Sequence, residues 1–255
     1  MGDVYQRDFT HREAARTAMY DVGGRTLKAN KILAILKDCL GRLNGLSLLD
    51  LGASTGIITA LVAREFRHSV GIDIDLSAVR YAARTHGGNN ICFVVGHGIR
   101  PAFAADSFDV VICNQVYEHV PDARAMMSEI RRVLRPGGVC YFGANNRLKL
   151  IETHYGRLPL LSVFPKPLAH LYLRILRRAS YYYETHFTVW GLRRLVADFE
   201  IIDYTARIVA DPVEFCATDM ITSGTLHQKL ALQVLKYAFW LFPGYIWLLK
   251  KPASG

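Results

Sequence analysis

Between residues 46 and 147 the chain alternates short apolar runs with stretches of helical periodicity, and few folds accept that rhythm. The apolar runs cover 46–51 (LSLLDL), 69–74 (SVGIDI), 90–95, 108–114 (FDVVICN) and 139–144. They lack the in-out alternation of a strand with one wet face, so they read as strands buried on both faces. The helical stretches between them are 57–65, 76–85 and 123–134. Asp75 or Ser77 can cap the second of these, and Pro136-Gly137-Gly138 stops the third. Strand–helix alternation of these lengths predicts an α/β domain whose parallel sheet carries helices on both faces.

The rhythm is interrupted twice. An amphipathic helix over 24–43 precedes the first strand. After the fifth strand, residues 146–186 carry Pro159, Pro165 and Pro167, a helix over 168–178 (LAHLYLRILRR) and the run Tyr181-Tyr182-Tyr183. A helix over 188–197 and a strand over 199–208 resume the pattern. An irregular stretch then leads to an apolar helix over 226–242 and a final strand over 245–249 (YIWLL). This divides the chain into an N-terminal arm (1–45), a core (46–147), a first insertion (148–187) and a closing part (188–255) that holds a second insertion at about 211–243. Ligands of open α/β sheets bind at the carboxyl ends of the strands. Both insertions are therefore expected over that edge, as the parts that recognise a substrate.

The turn after the first strand reads Asp50-Leu51-Gly52-Ala53-Ser54-Thr55-Gly56. Glycine there permits a tight turn and a close approach of backbone to ligand. It lacks the G-x-G-x-x-G spacing of a nicotinamide-binding loop. Its carboxylate, at the end of the strand, suits a cationic ligand better than a diphosphate.

LLDLGASTG resembles the first motif of class I S-adenosylmethionine (SAM)-dependent methyltransferases, within the type 11 group of quinone and small-molecule enzymes. Asp73, 21 residues after Gly52, matches the acidic residue that family places at the end of its second strand. The segments DSFDVVICNQVYEHVPD (106–122) and RVLRPGG (132–138) resemble its fourth-strand motif and the turn before its fifth strand. The resemblance covers 46–144, with the motifs in the family's order. It implies a Rossmann-like seven-stranded sheet with helical insertions after strand 5 and between strands 6 and 7, with SAM as cofactor and S-adenosylhomocysteine as product.

The resemblance also implies roles. Gly52, Ala53, Ser54 and Gly56 form the loop against the methionine moiety, and Asp50 anchors that loop. Asp73 holds the ribose, Ile74 lies against the adenine, and Asn114 and Gln115 line the cleft. The sequence departs from the family at two places. Ser54 stands where relatives have the middle glycine, and Gly96-His97-Gly98 stands where many have Gly-Asp, which leaves His97 and Gly98 as the adenine contact. Tyr5 and Tyr20 lie in the arm that closes over the cofactor in several relatives.

Transfer to a hydroxyl needs a group to take the proton, and a histidine or carboxylate serves near neutral pH. His119 leads, because it follows the fourth strand, with Glu118 beside it. His154 and His186, at the two ends of the first insertion, are the other candidates. No metal is expected. The nine histidines are scattered, with no H-E-x-x-H or facial-triad spacing.

Composition restricts the acceptor. The net charge is +9 and hydrophobic residues make up 51% of the chain. Such a charge admits nucleic acid, an anionic membrane surface or an anionic small molecule. No nucleic-acid-binding module is present, and Asn114 is followed by Gln115-Val116-Tyr117 instead of the Pro-Pro-aromatic motif of nucleobase methylation. Residues 168–178 and 230–242 alternate basic residues with large aliphatic and aromatic ones, which suits a membrane interface. They suit equally the wall of a pocket for a hydrophobic molecule, or a homodimer interface. The expected acceptor is thus hydrophobic or lipid-linked, with a soluble quinone-like or natural-product molecule as the alternative. A SAM-binding regulator or non-catalytic partner subunit is the alternative of another class. Of the five cysteines, Cys92, Cys113 and Cys140 fall in apolar runs and read as buried. With no close cysteine pair and no apolar leader, a cytoplasmic setting is expected, including the inner face of the membrane. Gln6 also stands where an N-terminal lipidation site needs Ser or Thr.

Overall fold

The computed structural model describes residue 17, residues 19–100 and residues 102–253. In chain order the elements are α1 (Val22–Leu40), β1 (Ser47–Leu51), α2 (Ile57–Ala63), β2 (His68–Asp73), α3 (Leu76–His86), β3 (Ile91–Val95), β4 (Phe108–Asn114), α4 (Ala123–Val133), β5 (Leu134–Asn145), β6 (Ile151–Glu152), β7 (Leu158–Pro159), α5 (Lys166–Ile175), α6 (Val189–Leu195), β8 (Glu200–Asp203), α7 (Thr205–Ala210), α8 (Leu226–Tyr237) and β9 (Gly244–Lys250). Seven strands form one sheet in the order β3-β2-β1-β4-β5-β9-β8, and β6 with β7 forms a separate hairpin. Pairing is parallel from β3 to β5, whereas β9 runs antiparallel to both β5 and β8. The sheet is therefore mixed.

Side-chain alternation along the strands builds two cores. Leu49, Leu51, Val111 and Cys113 face one side, against Met126 and Ile130 of α4 and Leu192 of α6. Leu48, Val110 and Ile112 face the other, against Ile32 and Ile35 of α1, Val62 of α2 and Ile208 of α7. A strand buried on both faces must be apolar throughout, which is why these runs stood out. Asp75 caps α3, its carboxylate accepting from the backbone of Ser77 and Ala78.

Three expectations are corrected. The run 199–208 is a strand only to Asp203. Asp203 Oδ1 then accepts the Thr205 N–H at 2.8 Å and the chain turns into α7, whose Ile208 and Val209 are buried while Arg207 is exposed. The helix expected over 226–242 ends at Tyr237 and is followed by a 3₁₀ turn over Phe239–Leu241. Cys92 is exposed, unlike Cys113 and Cys140, because β3 is the outermost strand of the sheet.

Candidate functional site

A cleft of about 750 Å³ opens at the carboxyl ends of β1, β2 and β4. Its first wall is mostly backbone. Gly52 and Gly56 adopt φ of +80° and +76°. A Cβ on Gly52 would lie 2.7 Å from Val116, and one on Gly56 2.7 Å from Ala82 and 2.8 Å from the Phe93 ring. Glycine at these two positions is thus required both by conformation and by space. Ser54, which replaces a glycine of the resembled loop, also takes a left-handed φ of 54°.

Two carboxylates pin this loop. Asp73 Oδ2 accepts the Ser54 N–H at 2.7 Å, and Asp73 Oδ1 accepts the Asp75 N–H at 2.9 Å. Asp50 accepts the Thr59 hydroxyl at 2.6 Å. Burial pushes the Asp50 carboxyl up to about 6, against the Thr59 hydrogen bond and the charge of Arg25. Burial likewise raises Asp73, against the backbone donors of Asp75 and Ser54.

Ala53, Ile74, His97, Gly98, Asn114 and Gln115 line the same cleft, so the residues assigned by resemblance converge, Gly56 setting the turn from behind. The sequence reading missed Arg25 and Lys28, which also line it. They stand three residues apart on one face of α1. Burial foremost lowers the pKa of both, with Asp50 and Asp73 acting in the opposite sense on Arg25. A basic pair on the amphipathic helix just before β1 was the available signal. The set fits a zwitterionic amino-acid nucleoside: carboxylates for an amino group and a ribose, cations for a carboxylate. Ser54 Oγ is buried without a partner among the described residues, a further polar group for such a ligand. Tyr20 packs edge-on against Tyr81 and is not among the lining residues, and Tyr5 lies outside the described residues.

The opposite wall is made of side chains. The loop after β4 supplies Val116, His119 and Val120, and the first insertion supplies Thr153, His154, Tyr155, Gly156, Arg178 and Ala179. The second insertion supplies none of the lining residues, contrary to expectation. It packs instead on α7, where Val209 meets Ile221 and Leu235.

All four candidate catalytic residues lie close together, although only His119 and His154 line the cleft. The rings of these two are 5.0 Å apart. His154 Nδ1 lies 2.6 Å from Glu152 Oε1, and His186 Nε2 lies 2.9 Å from Glu152 Oε2. Glu152 also accepts from Lys149 at 3.1 Å and from the Tyr182 hydroxyl at 2.9 Å. Burial opposes the charge on Glu152. Hydrogen bonds from His154 and His186, with the charges of His154 and Lys149, outweigh it and hold the carboxyl well below the usual range. Burial acts against the charge on His154 as well, but the hydrogen bond to Glu152 wins and raises its pKa. Burial lowers that of His119, whose Nδ1 is 3.7 Å from Glu184. Glu118 is buried, accepts from Asn145 at 3.0 Å, and has Oε2 without a partner among the described residues.

The histidines that are scattered in sequence are thus gathered by the fold. Glu118, His119 and His154, or Glu152, His154 and His186, offer three ligand atoms within 4.8 Å of one another, a geometry that could hold a metal ion. No local spacing rule announces such a trio, because in each case its members come from two segments more than 30 residues apart in sequence.

Comparison with known proteins places these features. Residues 49–142 match the family model described as a methyltransferase domain. A ubiquinone biosynthesis O-methyltransferase of Alkalilimnicola ehrlichii is 30% identical over 153 residues, covering 57% of this chain and 62% of that protein. One of Hahella chejuensis is 38% identical over 109 residues, covering 41% and 45%. The chain thus matches less than two thirds of the length of these curated relatives. In fold it is similar to an S-adenosylmethionine-dependent methyltransferase from Mesorhizobium loti, with a TM-score of 0.58, 14% identity, and coverage of 88% of this chain and 99% of that one. Residues 49–142 thus match a methyltransferase domain, and in the order of its motifs and the topology of its sheet the chain resembles the class I SAM-dependent methyltransferases.

Proposed function

We propose that the protein moves a methyl group from SAM to a hydroxyl oxygen of a small quinone-like molecule. The observation that carries this reading is the single cleft that joins the glycine-built loop to His119 and His154. The curated relatives, named for O-methylation in ubiquinone biosynthesis, support the acceptor class. SAM bound there supplies a methyl group on a positively charged sulfur. The loop from Gly52 to Gly56 and Asp73 would hold SAM, and Arg25 and Lys28, which line the same cleft, would supply the cations for its carboxylate. The insertion closes the far side, holds the acceptor hydroxyl in line, and offers a histidine for its proton.

The test is transfer of labelled methyl from SAM to a panel of catechols and hydroquinones with and without an alkyl tail. Label in the methyl ether of a tailless phenol supports the reading. Tight SAM binding with no label in any hydroxyl compound overturns it in favour of a SAM-binding partner subunit.

A second reading, a lipid-linked acceptor met at a membrane surface, rests on a separate observation. Residues 153–183 and 220–255 contain no Asp or Glu. Within them α5 exposes Leu168, Leu171 and Ile175, and α8 exposes Leu226, Leu230, Val234 and Tyr237, each set on one helical face. Apolar stripes in acid-free, basic surroundings complement an anionic bilayer. No helix among the described residues is long and apolar enough to cross a membrane. Flotation with phosphatidylglycerol vesicles, lost on Leu168→Glu with Leu171→Glu, supports this reading. Absence of flotation at low salt sinks it.

A further inference from the structure

We propose that Arg178 is a specificity-determining residue that binds an oxyanion carried by the methyl acceptor, either a ring carboxylate or a phosphate. This rests on the methyltransferase reading above and deepens it by naming the charge that the acceptor bears.

The two walls of the cleft differ in charge. The wall at β1 and β2 holds Asp50, Asp73 and Asp75 together with Arg25 and Lys28. Acids and bases are mixed there, and its two cations suffice for the carboxylate of SAM. The opposite wall has no acidic side chain among the described lining residues, and Arg178 is its one permanently charged group. The acids that flank the acid-free stretch 153–183 are Glu152 and Glu184. Both are buried and committed, Glu152 to Lys149 and the Tyr182 hydroxyl, Glu184 to the Tyr155 hydroxyl. Among the described residues Arg178 makes no hydrogen bond or ion pair. Arg135 and Arg207, by contrast, each meet an aspartate at 2.8 Å.

The fold holds this arginine at the cleft. The Arg178 N–H donates to the Leu173 carbonyl and the Arg177 N–H to the Arg174 carbonyl, each at 3.0 Å, while Arg177 takes φ of 52°. This pair of bonds ends α5 in a Schellman turn, which sends Arg178 back toward the hairpin. The base of the turn is fixed, because Ala169 and Leu173 are fully buried in a cluster with Leu161 and Tyr182. The guanidinium lies against the tip of the β6–β7 hairpin. A Cβ on Gly156, whose φ is +87°, would be 3.5 Å from Cζ and Nη1 of Arg178. The neighbouring arginines of α5 are disposed differently. Arg174 donates to the Ser180 carbonyl and packs over the Tyr181 ring, and neither it nor Arg177 lines the cleft.

A guanidinium offers two parallel N–H donors that match the oxygens of a carboxylate or phosphate. Val116, Val120, Tyr155 and Ala179 line the same wall and suit the face of a ring. The site therefore fits a phenol that carries an anionic group away from the hydroxyl to be methylated.

The test uses catechols that differ in one ring substituent: methyl, carboxylate, phosphonate or aminomethyl. In the wild type, kcat/KM should be about tenfold higher for the carboxylate or the phosphonate than for the methyl compound. Which of the two anions is favoured tells the two sources of charge apart. Arg178→Gln should bring that ratio to about one. Arg178→Lys, which keeps the charge and loses the fork, should give an intermediate ratio. Arg178→Glu should favour the aminomethyl compound instead. Arg178 is exposed, so these variants should fold, and calorimetry of SAM binding checks that they do. A second readout needs no turnover: the favoured anionic catechol, titrated into protein loaded with S-adenosylhomocysteine, should bind about tenfold more weakly to Arg178→Gln. Equal kcat/KM for the anionic and methyl compounds in the wild type, or an anion preference that survives Arg178→Gln, would overturn the proposal. So would loss of phosphatidylglycerol flotation in Arg178→Gln with the acceptor ratio unchanged, since Arg178 would then be a lipid contact. A wild type that methylates no catechol defeats the reading of the function instead, and the binding titration still decides whether Arg178 selects an anion.

Discussion

The two walls of the cleft are built by different means. The wall at the ends of β1 and β2 is made from one short loop, whose shape follows from two glycines and two carboxylates no more than 23 residues apart, Asp50 to Asp73. The opposite wall is made from side chains at 119, 154 and 178, held by partners at 149, 152, 182, 184 and 186. The first wall is a local consequence of sequence. The second exists only when the loop after β4 and the first insertion meet. A wall that depends on backbone tolerates little change, whereas one that depends on a packed insertion can be rebuilt without disturbing the first.

The sharpest way to break this contrast is Gly56→Val. The positive φ and the 2.7 Å approach to Ala82 leave no room for a branched side chain. A loss of about 3 kcal/mol of stability or more is expected, with SAM binding abolished, measured by thermal melting and calorimetry. Retained binding would show that the loop is not the cofactor wall.

Tyr182→Phe is the complementary test on the other wall. It removes one hydroxyl donor from the buried Glu152 carboxylate. About 2 kcal/mol should be lost, while SAM affinity stays unchanged. A fall in SAM affinity would mean that the two walls are coupled.

The smallest effect is a pH dependence on the first wall. The Asp50 carboxyl is pushed up to about 6 in the folded protein, above its ordinary value of 3.8. Its protonated form is therefore favoured by folding, and that contribution is lost as pH rises from about 4 through 6. A cationic amino group favours the ionised form. SAM affinity should then rise about tenfold between pH 5 and pH 7 and level off above. A flat profile would place Asp50 outside the cofactor's reach, and Asp50→Asn should flatten it.

The α/β alternation and the glycine-built wall of the cleft were legible because each rests on short-range rules. Strands buried on both faces must be apolar along their length, and Leu48 to Leu51 and Val110 to Cys113 show that pattern apart from Asp50. A tight turn that meets a ligand needs glycine, and Gly52 and Gly56 supply it. Where those rules give out, the reading went astray. The run from Phe199 to Ile208 has no breaker residue, so only the Asx turn at Asp203 ends the strand. The exposure of Cys92 follows from the rank of β3 in the sheet, which an apolar run does not encode. The two insertions resemble each other in composition, yet one lines the cleft and the other covers α7.

By itself, the sequence determined the sheet-forming segments, the loop that turns at Gly52 and the acidic residue at the end of β2, since each is fixed by neighbours along the chain. Only the tertiary structure decided that β9 runs antiparallel, that Arg25 and Lys28 reach the cleft, and that Glu152 stands behind His154. These depend on contacts between segments far apart in sequence, and the burial that sets their charges exists only once those segments are packed.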